Sequence, residues 1–403
     1  MWIEPDATAP SGESFIRQIV HGTRWWEREF PSAPRQRILY LPDTFGFTAC
    51  LPQIMAKAGL DTFITNKIIW SDTNRFPHVS FRWRGLDGTK VLAHFTPGHN
   101  YNSDFLPADL AAARDNIERL DHGRTRKYLQ PYGWGDGGGG PDPAQIERTR
   151  SAARCEGLPE TRHTSASAFC DTLHREAALA DSAGDPMPVW DGELYLEAHR
   201  GAYTSQRWIK QANRRCERLL REVEMLAVIA PLPRRELKVL IAELDRLWKV
   251  VLLHQFHDIL PGSSIGPVYD DARAAMGDAE TKLRDLRAKG LARAQSRAGG
   301  AHGAMGARLV FNPASVASGG VPACAVGTPA AESRDESLAA SAGTRTRVLE
   351  NAFMRVALDR HGRISAITSA HGTTLPARGR ALNELVLYED RPRRWEAWDT
   401  DKE

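Results

Sequence analysis

The sequence has no paired cysteines, no long apolar run and no excess of charge of either sign, and each absence excludes something. Its five cysteines (Cys50, Cys155, Cys170, Cys216 and Cys324) are odd in number and irregularly spaced, with no Cys-x-x-Cys pair. That argues against a disulfide framework and against thiolate-held zinc, and it suits a reducing, cytoplasmic setting. No stretch approaches the roughly 18 consecutive apolar residues that read as a membrane-spanning helix. The opening Met1-Trp2-Ile3-Glu4-Pro5-Asp6 lacks the pattern of a signal peptide. With 53 basic against 50 acidic residues the formal charge is +3, which gives no electrostatic footing for a nucleic-acid or membrane partner. What is present is an ordinary globular composition, 42% apolar over 403 residues, enough for two or three domains with real cores. Eleven tryptophans are many for this length. Indole rings stack on the C–H faces of sugars, and they also fill cores.

Residues 1–200 alternate short apolar runs with amphipathic stretches. Arg37–Leu41, Phe63–Thr65 and Lys90–Phe95 read as strands, and Gln53–Gly59 as a short helix. This rhythm predicts a mostly parallel α/β sheet or barrel, whose sites form at the carboxyl ends of strands. From 201 to 298 the spacing turns helical: Leu219, Leu220, Val223, Leu226; then Leu240, Leu244, Leu247, Trp248, Val251; then a charged helix over about 268–296. Pro231 and Pro233 punctuate the first two, and three long helices with short connections predict an antiparallel bundle. Residues 299–345 are rich in Ala, Gly and Ser apart from the apolar Leu309–Phe311, and read as a linker or as a strand in a loose context. Beyond Arg347 short strands return at Phe353–Leu358, Ile364–Ile367 and Leu385–Tyr388, with a turn at Gly362, so 299–403 reads as the start of a β domain.

Five segments carry candidate chemistry. Asp43, in Leu41-Pro-Asp-Thr-Phe-Gly46, follows a strand and precedes a Gly turn. It is a candidate nucleophile or metal ligand, or else a helix-capping or Asx-turn residue. Asp136 is the one acid among the six glycines of 133–140. Close backbone approach would leave it partly desolvated, as suits a general acid, although such a run also serves as a flexible linker or, more weakly, a phosphate loop. His257, in Gln255-Phe-His-Asp-Ile-Leu-Pro-Gly-Ser263, is a candidate metal ligand with a nearby acid orienting its second nitrogen, or a histidine at a helix C-terminus. Glu193–Ser205 concentrates hydrogen-bonding groups (Glu197, His199, Arg200, Tyr203, Thr204), with Thr204 or Ser205 expected to cap the next helix. Asp72, Asn74 and Arg75 sit in a polar–aromatic loop, Trp70–His78.

In order and spacing, Leu41–Gly46, Asp72–Pro77, Gly135–Pro141, Glu193–Ser205 and Gln255–Ser263 together resemble glycoside hydrolase family 38, the α-mannosidases of bacterial and cytosolic type. The resemblance continues weakly into Leu349-Glu-Asn-x-Phe353 and Tyr388–Pro392. It implies a seven-stranded-barrel-like α/β catalytic domain (1–200), a three-helix middle domain (201–298) and the start of a β-sandwich domain (299–403). It further implies a zinc-dependent retaining α-mannosidase acting on mannose-containing oligosaccharides. Asp43 would be nucleophile and zinc ligand, Asp136 the general acid/base and His257 a zinc ligand. Phe45 would form an aromatic subsite wall, and Asp72, Asn74, Arg75, His199, Arg200 and Tyr203 would contact substrate. The retaining scheme implies carboxyl groups roughly 5–5.5 Å apart. The family's N-terminal His-x-His-x-Asp zinc motif has no counterpart before Asp43, where His21 stands isolated. The expectation is therefore an internal fragment, with two zinc ligands of the three or four a site needs. Such a chain would be an inactive remnant or carbohydrate-binding fragment unless a complementing N-terminal piece completes it; a homo-oligomer is the other partner expectation. A metal-dependent deacetylase on an α/β barrel is the rival hydrolase, and the lack of clustered histidines opposes it.

Overall fold

The computed structural model describes residues 1–98, 101–121, 124–302, 309–330, 339–342, 347–375 and 381–400. They divide into two units, each with its own contacts: Met1–Gly290 with the segment from Pro392 onward, and Leu291–Arg391.

In the first unit, α1 (Gly12–Glu29) precedes β1 (Ile38–Tyr40), α2 (Leu51–Lys57), β2 (Thr62–Thr65), β3 (Ser80–Arg84) and β4 (Lys90–Phe95). Then come α3 (Pro107–Asp121), α4 (Pro143–Ala152), α5 (Ala166–Ser182) and β5 (Val189–Asp191). The strands form one sheet in the order β1-β2-β4-β3-β5. β1, β2 and β4 run parallel, β3 is antiparallel to β4, and β5 is parallel to β3. The expected α/β layer is present. Among the described residues, however, it is an open five-stranded mixed sheet, in place of the seven-stranded barrel-like arrangement. β3 and β5 escaped the sequence reading because Ser80-Phe-Arg-Trp-Arg84 hides its apolar alternation behind arginines and β5 is only three residues long.

β2 is buried at every position, as a strand covered on both faces must be. Phe63 joins Phe47, Phe81, Trp83 and Met55 on one face, under Phe15 and Ile19 of α1. One residue on, Ile64 faces Phe169 and Cys170 of α5, which also covers Leu92 with Leu173 and Ala177. Edge-on aromatic contacts (Phe47–Phe63, 4.8 Å) and the Trp83 indole N–H to the Gly192 carbonyl (2.7 Å) knit the larger face.

The helical part of this unit has α6 (Arg207–Ile229), α7 (Arg234–Leu253) and α8 (Gly266–His302). Ile209, Cys216 and Leu220 of α6, Leu247, Trp248 and Val251 of α7, and Tyr269, Met276 and Leu283 of α8 share one core. α1 lies against α7: the Arg17 guanidinium sits 4.9 Å from the Trp248 ring centre, and Gln18 donates to the Leu252 carbonyl (3.1 Å). Buried Glu217 of α6 accepts from Ser11 N (2.8 Å), Ser14 Oγ (2.6 Å) and Gln255 Nε2 (3.3 Å). Neither Thr204 nor Ser205 caps α6. Its first flanking residue is Gln206, in the left-handed region with no side-chain cap, while Ser205 Oγ donates back to Gly201 O.

In the second unit β6 (Val310–Asn312) pairs antiparallel with β7 (Ala325–Gly327). β8 (Ala339–Ala342), β9 (Arg347–Glu350), β10 (Met354–Leu358), β11 (Ile364–Ser369) and β12 (Thr374–Leu375) make an antiparallel sheet in the order β12-β11-β10-β9-β8. Gly362 (φ +79°) turns β10 into β11, as expected. Leu385–Tyr388 is not a strand: Leu385 and Leu387 are almost fully exposed, and among the described residues they pair with no neighbouring strand.

Candidate active site

Three parallel strands end on the same edge of the sheet, and the residues just beyond them build a cleft. After β1, Leu41 is clamped to β2 by its N–H to the Ile64 carbonyl (3.1 Å) and by Thr65 Oγ1 on its own carbonyl (2.7 Å). Five residues later Gly46 adopts φ +97°, and a side chain there would press on Leu194 O at 3.2 Å. Only glycine suits that conformation, which lets Phe47 exchange two backbone hydrogen bonds with Leu194 (2.9 Å each). Asp43 is held between these fixed points. Its side chain reaches the cleft, and the helix that follows is flanked by Cys50, not by Asp43.

After β2, Asn66 ties the loop following β4 by donating to Thr96 Oγ1 and Gly98 O (2.8 Å each). Lys67 follows. It is buried, its ammonium donates to Asp43 Oδ1 (2.7 Å), and it lies about 5 Å from the ring centres of Phe45 and Trp70. After β4 comes Tyr101, whose hydroxyl donates to Asp136 Oδ1 (2.9 Å). Burial, then the negative charge of Asp43, then the hydrogen bond to Asp136 push the Tyr101 phenol well above its ordinary value. Tyr101 thus lies within electrostatic reach of both acids and stays protonated as a donor.

Asp136 sits in the tight turn Gly135–Gly137. Gly135 (φ +50°) has Asn102 Cβ only 2.6 Å from where its own Cβ would lie, so this glycine serves close approach, whereas Gly138 and Gly140 have open space around them. Asp136 itself is exposed, and the expected partial desolvation is not seen. His257 lies just past α7, whose last turn ends at His254. Its Nδ1 faces the Glu4 carbonyl (3.2 Å), which leaves Nε2 directed at Asp43 Oδ2 (3.7 Å) and Asp258 Oδ2 (3.9 Å). The second nitrogen is thus oriented by the Glu4 carbonyl, with the Glu4 carboxylate also near it (Oε2, 3.8 Å). Asp258 is fixed through its other oxygen by Ser263 Oγ (2.7 Å) and the Trp398 indole N–H (3.2 Å).

These residues share one cavity of about 460 Å³, lined by Glu4, Asp43, Lys67, Trp70, Tyr101, Asp136, His199, Phe256, His257, Asp258, Trp395 and Trp398. Asp43, Asp136, His257 and His199 are therefore brought together. Phe45 and Tyr203 line an adjoining cavity of about 280 Å³, with His199 common to both. His199 is buried in the left-handed conformation, edge-on to Phe45 (4.7 Å between centres). Burial and the Lys67 charge lower its pKa, against the pull of Asp399. Asp72, Asn74, Arg75 and Arg200 do not line the main cavity. Arg200 pairs with Asp72 (3.0 Å), Asn74 donates to Glu197, and Arg75 is exposed. Lys67, Tyr101, Glu4, Asp258 and the two tryptophans were not singled out from sequence as site residues. Asp258 adjoins His257 in the quoted motif, whereas Lys67 and Tyr101 carried no signal.

Zinc is implied by the resemblance, and the donors can be tested against it. His257 is set up as one arm and Asp43 as another, yet Asp43 Oδ1 faces an ammonium. Among the described residues no group of three or more His, Cys, Asp or Glu is placed to hold a metal ion. The set does not make a zinc site by itself. Among the described residues, no helix is long and apolar enough to cross a membrane.

Comparison with known proteins places this geometry. Residues 1–193 match the glycosyl hydrolases family 38 N-terminal domain, 197–293 the alpha mannosidase middle domain, and 349–403 the family 38 C-terminal domain. Alpha-mannosidase 2C1 of Homo sapiens is 33% identical over 99% of this chain and 39% of its own length. An alpha-mannosidase of Saccharomyces cerevisiae is 32% identical over 99% of this chain and 37% of its own. Alpha-mannosidase G of Dictyostelium discoideum reaches 41% over 67% of this chain and 24% of its own. The chain thus spans well under half the length of these relatives. The fold is shared with a solved alpha-mannosidase structure from Enterococcus faecalis V583, with a TM-score of 0.63 at 14% identity, covering 92% of this chain and 52% of that one. With three consecutive domains in the family's order and two acids facing one cleft, the chain belongs to glycoside hydrolase family 38.

Proposed function

We propose that the cleft is the site of a retaining α-mannosidase, with Asp43 as nucleophile and Asp136 as general acid/base. The observation that carries this reading is that Asp43, Asp136 and His257 line one cavity although 93 and 121 residues separate them in sequence. Asp136, reached by solvent and held by Tyr101, would protonate the glycosidic oxygen as Asp43 attacks the anomeric carbon. The mannosyl ester would then be released by water that Asp136 deprotonates. Lys67 fixes one Asp43 oxygen and leaves the other directed into the cleft. Terminal α-mannosyl units of oligomannosides are the proposed substrates. The five free cysteines support a reducing cytoplasm as the setting.

A zinc ion would need donors beyond Asp43 and His257, so no step above passes through one. This shortfall favours a second reading, in which the cleft binds mannosides without turning them over. One experiment separates the two. The chain is incubated with a 5-fluoro-mannosyl fluoride, which forms a long-lived ester on a retaining nucleophile, and its peptides are mapped by mass. An adduct on the Asp43 peptide supports the proposal. No adduct, with mannoside binding intact, supports binding alone; an adduct elsewhere overturns the assignment of Asp43.

A further inference from the structure

The last segment of the chain follows the β sheet of the second unit, yet from Pro392 it folds with the first unit. Trp395 O accepts from both Trp398 N and Asp399 N (2.8 Å each), a tight turn that sets the two indoles 6.2 Å apart at 76°. The turn is anchored where α6 is about to begin. Ala202 N donates to Trp398 O (3.2 Å), Arg200 N donates to Asp399 Oδ1 (2.9 Å), and Asp399 Oδ2 lies 3.6 Å from His199 Nδ1. Gly201 permits this approach: a Cβ there would meet the Trp398 carbonyl at 2.9 Å. Trp398 also lies 5.7 Å from the His199 ring and donates its N–H to Asp258 Oδ1 (3.2 Å). So many independent contacts fix Trp398 as part of the cleft wall.

Trp395 is different. It lines the cleft beside Trp70 (6.4 Å between centres) but remains 51% exposed. It shares the cavity with the carboxylates of Glu4, Asp43, Asp136 and Asp258, the Lys67 ammonium and the Tyr101 phenol. An open indole next to polar groups is the arrangement that binds a pyranose: the ring covers the apolar C–H face and the polar groups take the hydroxyls.

We propose that the Trp395–Asp399 strap is a carbohydrate-binding wall of the cleft, with Trp395 stacking on the bound hexoside and Trp398 holding Asp258 in position. This deepens, and rests on, the mannosidase reading: a segment matched to the C-terminal family domain completes a cleft built by the N-terminal one.

The test is titration calorimetry of the purified chain with the methyl α-glycosides of mannose, glucose and galactose, alongside Trp395→Ala, Trp398→Phe and, as a control, Trp25→Ala on α1. The expected result is mannoside binding weakened at least tenfold by Trp395→Ala and several-fold by Trp398→Phe, which keeps the ring and loses the donor, with no change for Trp25→Ala. Unfolding midpoints within a degree of the parent confirm that the variants are folded. Mannoside affinity of Trp395→Ala within twofold of the parent overturns the wall and leaves the mannosidase reading standing. Trp395-dependent binding of another hexoside but not of mannoside keeps the wall and overturns the mannose assignment. No binding of any of the three by the parent overturns both.

Discussion

His94 on β4 makes acid pH a sharp probe of the sheet that carries the site. Its ring is fully buried against Phe169, Leu129 N donates to its Nε2 (3.2 Å), and its Nδ1 meets Ser80 Oγ (2.9 Å). With Nε2 already accepting a backbone N–H, a second proton has no place without breaking that bond. Burial lowers the imidazole from its ordinary 6.5 to about 3. Above pH 6.5 the ring is neutral in both folded and unfolded chains and costs nothing. Between 6.5 and about 3 the unfolded chain takes up a proton that the folded one refuses, so stability falls as pH falls; below about 3 the loss levels off. At about 1.4 kcal/mol per pH unit, going from pH 6.5 to pH 4.5 costs roughly 2–3 kcal/mol from this group alone. Against the 5–15 kcal/mol of a typical domain, that is about a fifth to a half of its stability. His94→Gln supplies the same acceptor and donor without titrating. Urea unfolding at pH 7 and pH 4.5 should show the parent losing roughly 2–3 kcal/mol more than the variant between the two. Equal losses would refute the argument.

Three further outcomes follow from the geometry. Lys67→Met leaves Asp43 without its ammonium in a mostly buried setting and should lower stability by about 2 kcal/mol in urea, while Lys67→Arg restores part of it; an unchanged midpoint for the methionine variant would contradict the ion pair. Calorimetry with zinc should show no binding tighter than micromolar, because the described residues supply two donors in place of three or four; tight one-to-one binding abolished by His257→Ala would mean the site is complete. Gly262, at φ +100° with the Ser205 backbone 2.8 Å from any added Cβ, should not tolerate alanine; a loss of about 2 kcal/mol is expected, read as a lower melting temperature.

What could be read from sequence was whatever repeats along the chain. The periodic faces of α6 and α7 announced their helices, and the apolar runs of β1, β2 and β4 announced the sheet core, because burial on one or both faces leaves a regular trace. β3 was lost because Arg82 and Arg84, reaching Asp181 and Asp191 at the sheet's edge, interrupt the apolar signal. Leu385–Tyr388 was misread for the opposite reason: its apolar pattern is that of a strand, but among the described residues no partner strand pairs with it. In the site, Asp43, Asp136 and His257 stood out through their Gly- and Pro-marked neighbourhoods, which fix backbone conformation. Arg200 and Asp72 stood out equally and neutralise one another beside the cleft.

The residues that sequence could not supply are those whose meaning is wholly tertiary. Lys67 lies in Asn66-Lys-Ile-Ile-Trp70, an apolar stretch in which a lysine reads as an ordinary snorkelling side chain. Its role exists only because β1 and β2 are parallel and in register, Tyr40 against Ile64, so that the residues three positions past that pair, Asp43 and Lys67, meet. Tyr101 reaches Asp136 from the loop after β4, which is parallel to β2, so the same edge again decides the contact. The order of the three strands therefore sets the order of the charges, carboxylate, ammonium, phenol, along the floor of the cleft. Trp395 and Trp398 then close it from the far end of the chain. A substitution that shifts β2 by one residue against β1 would move Lys67 off Asp43 and turn Phe63 out of the core together, so the site's electrostatics and the sheet's packing stand on a single register.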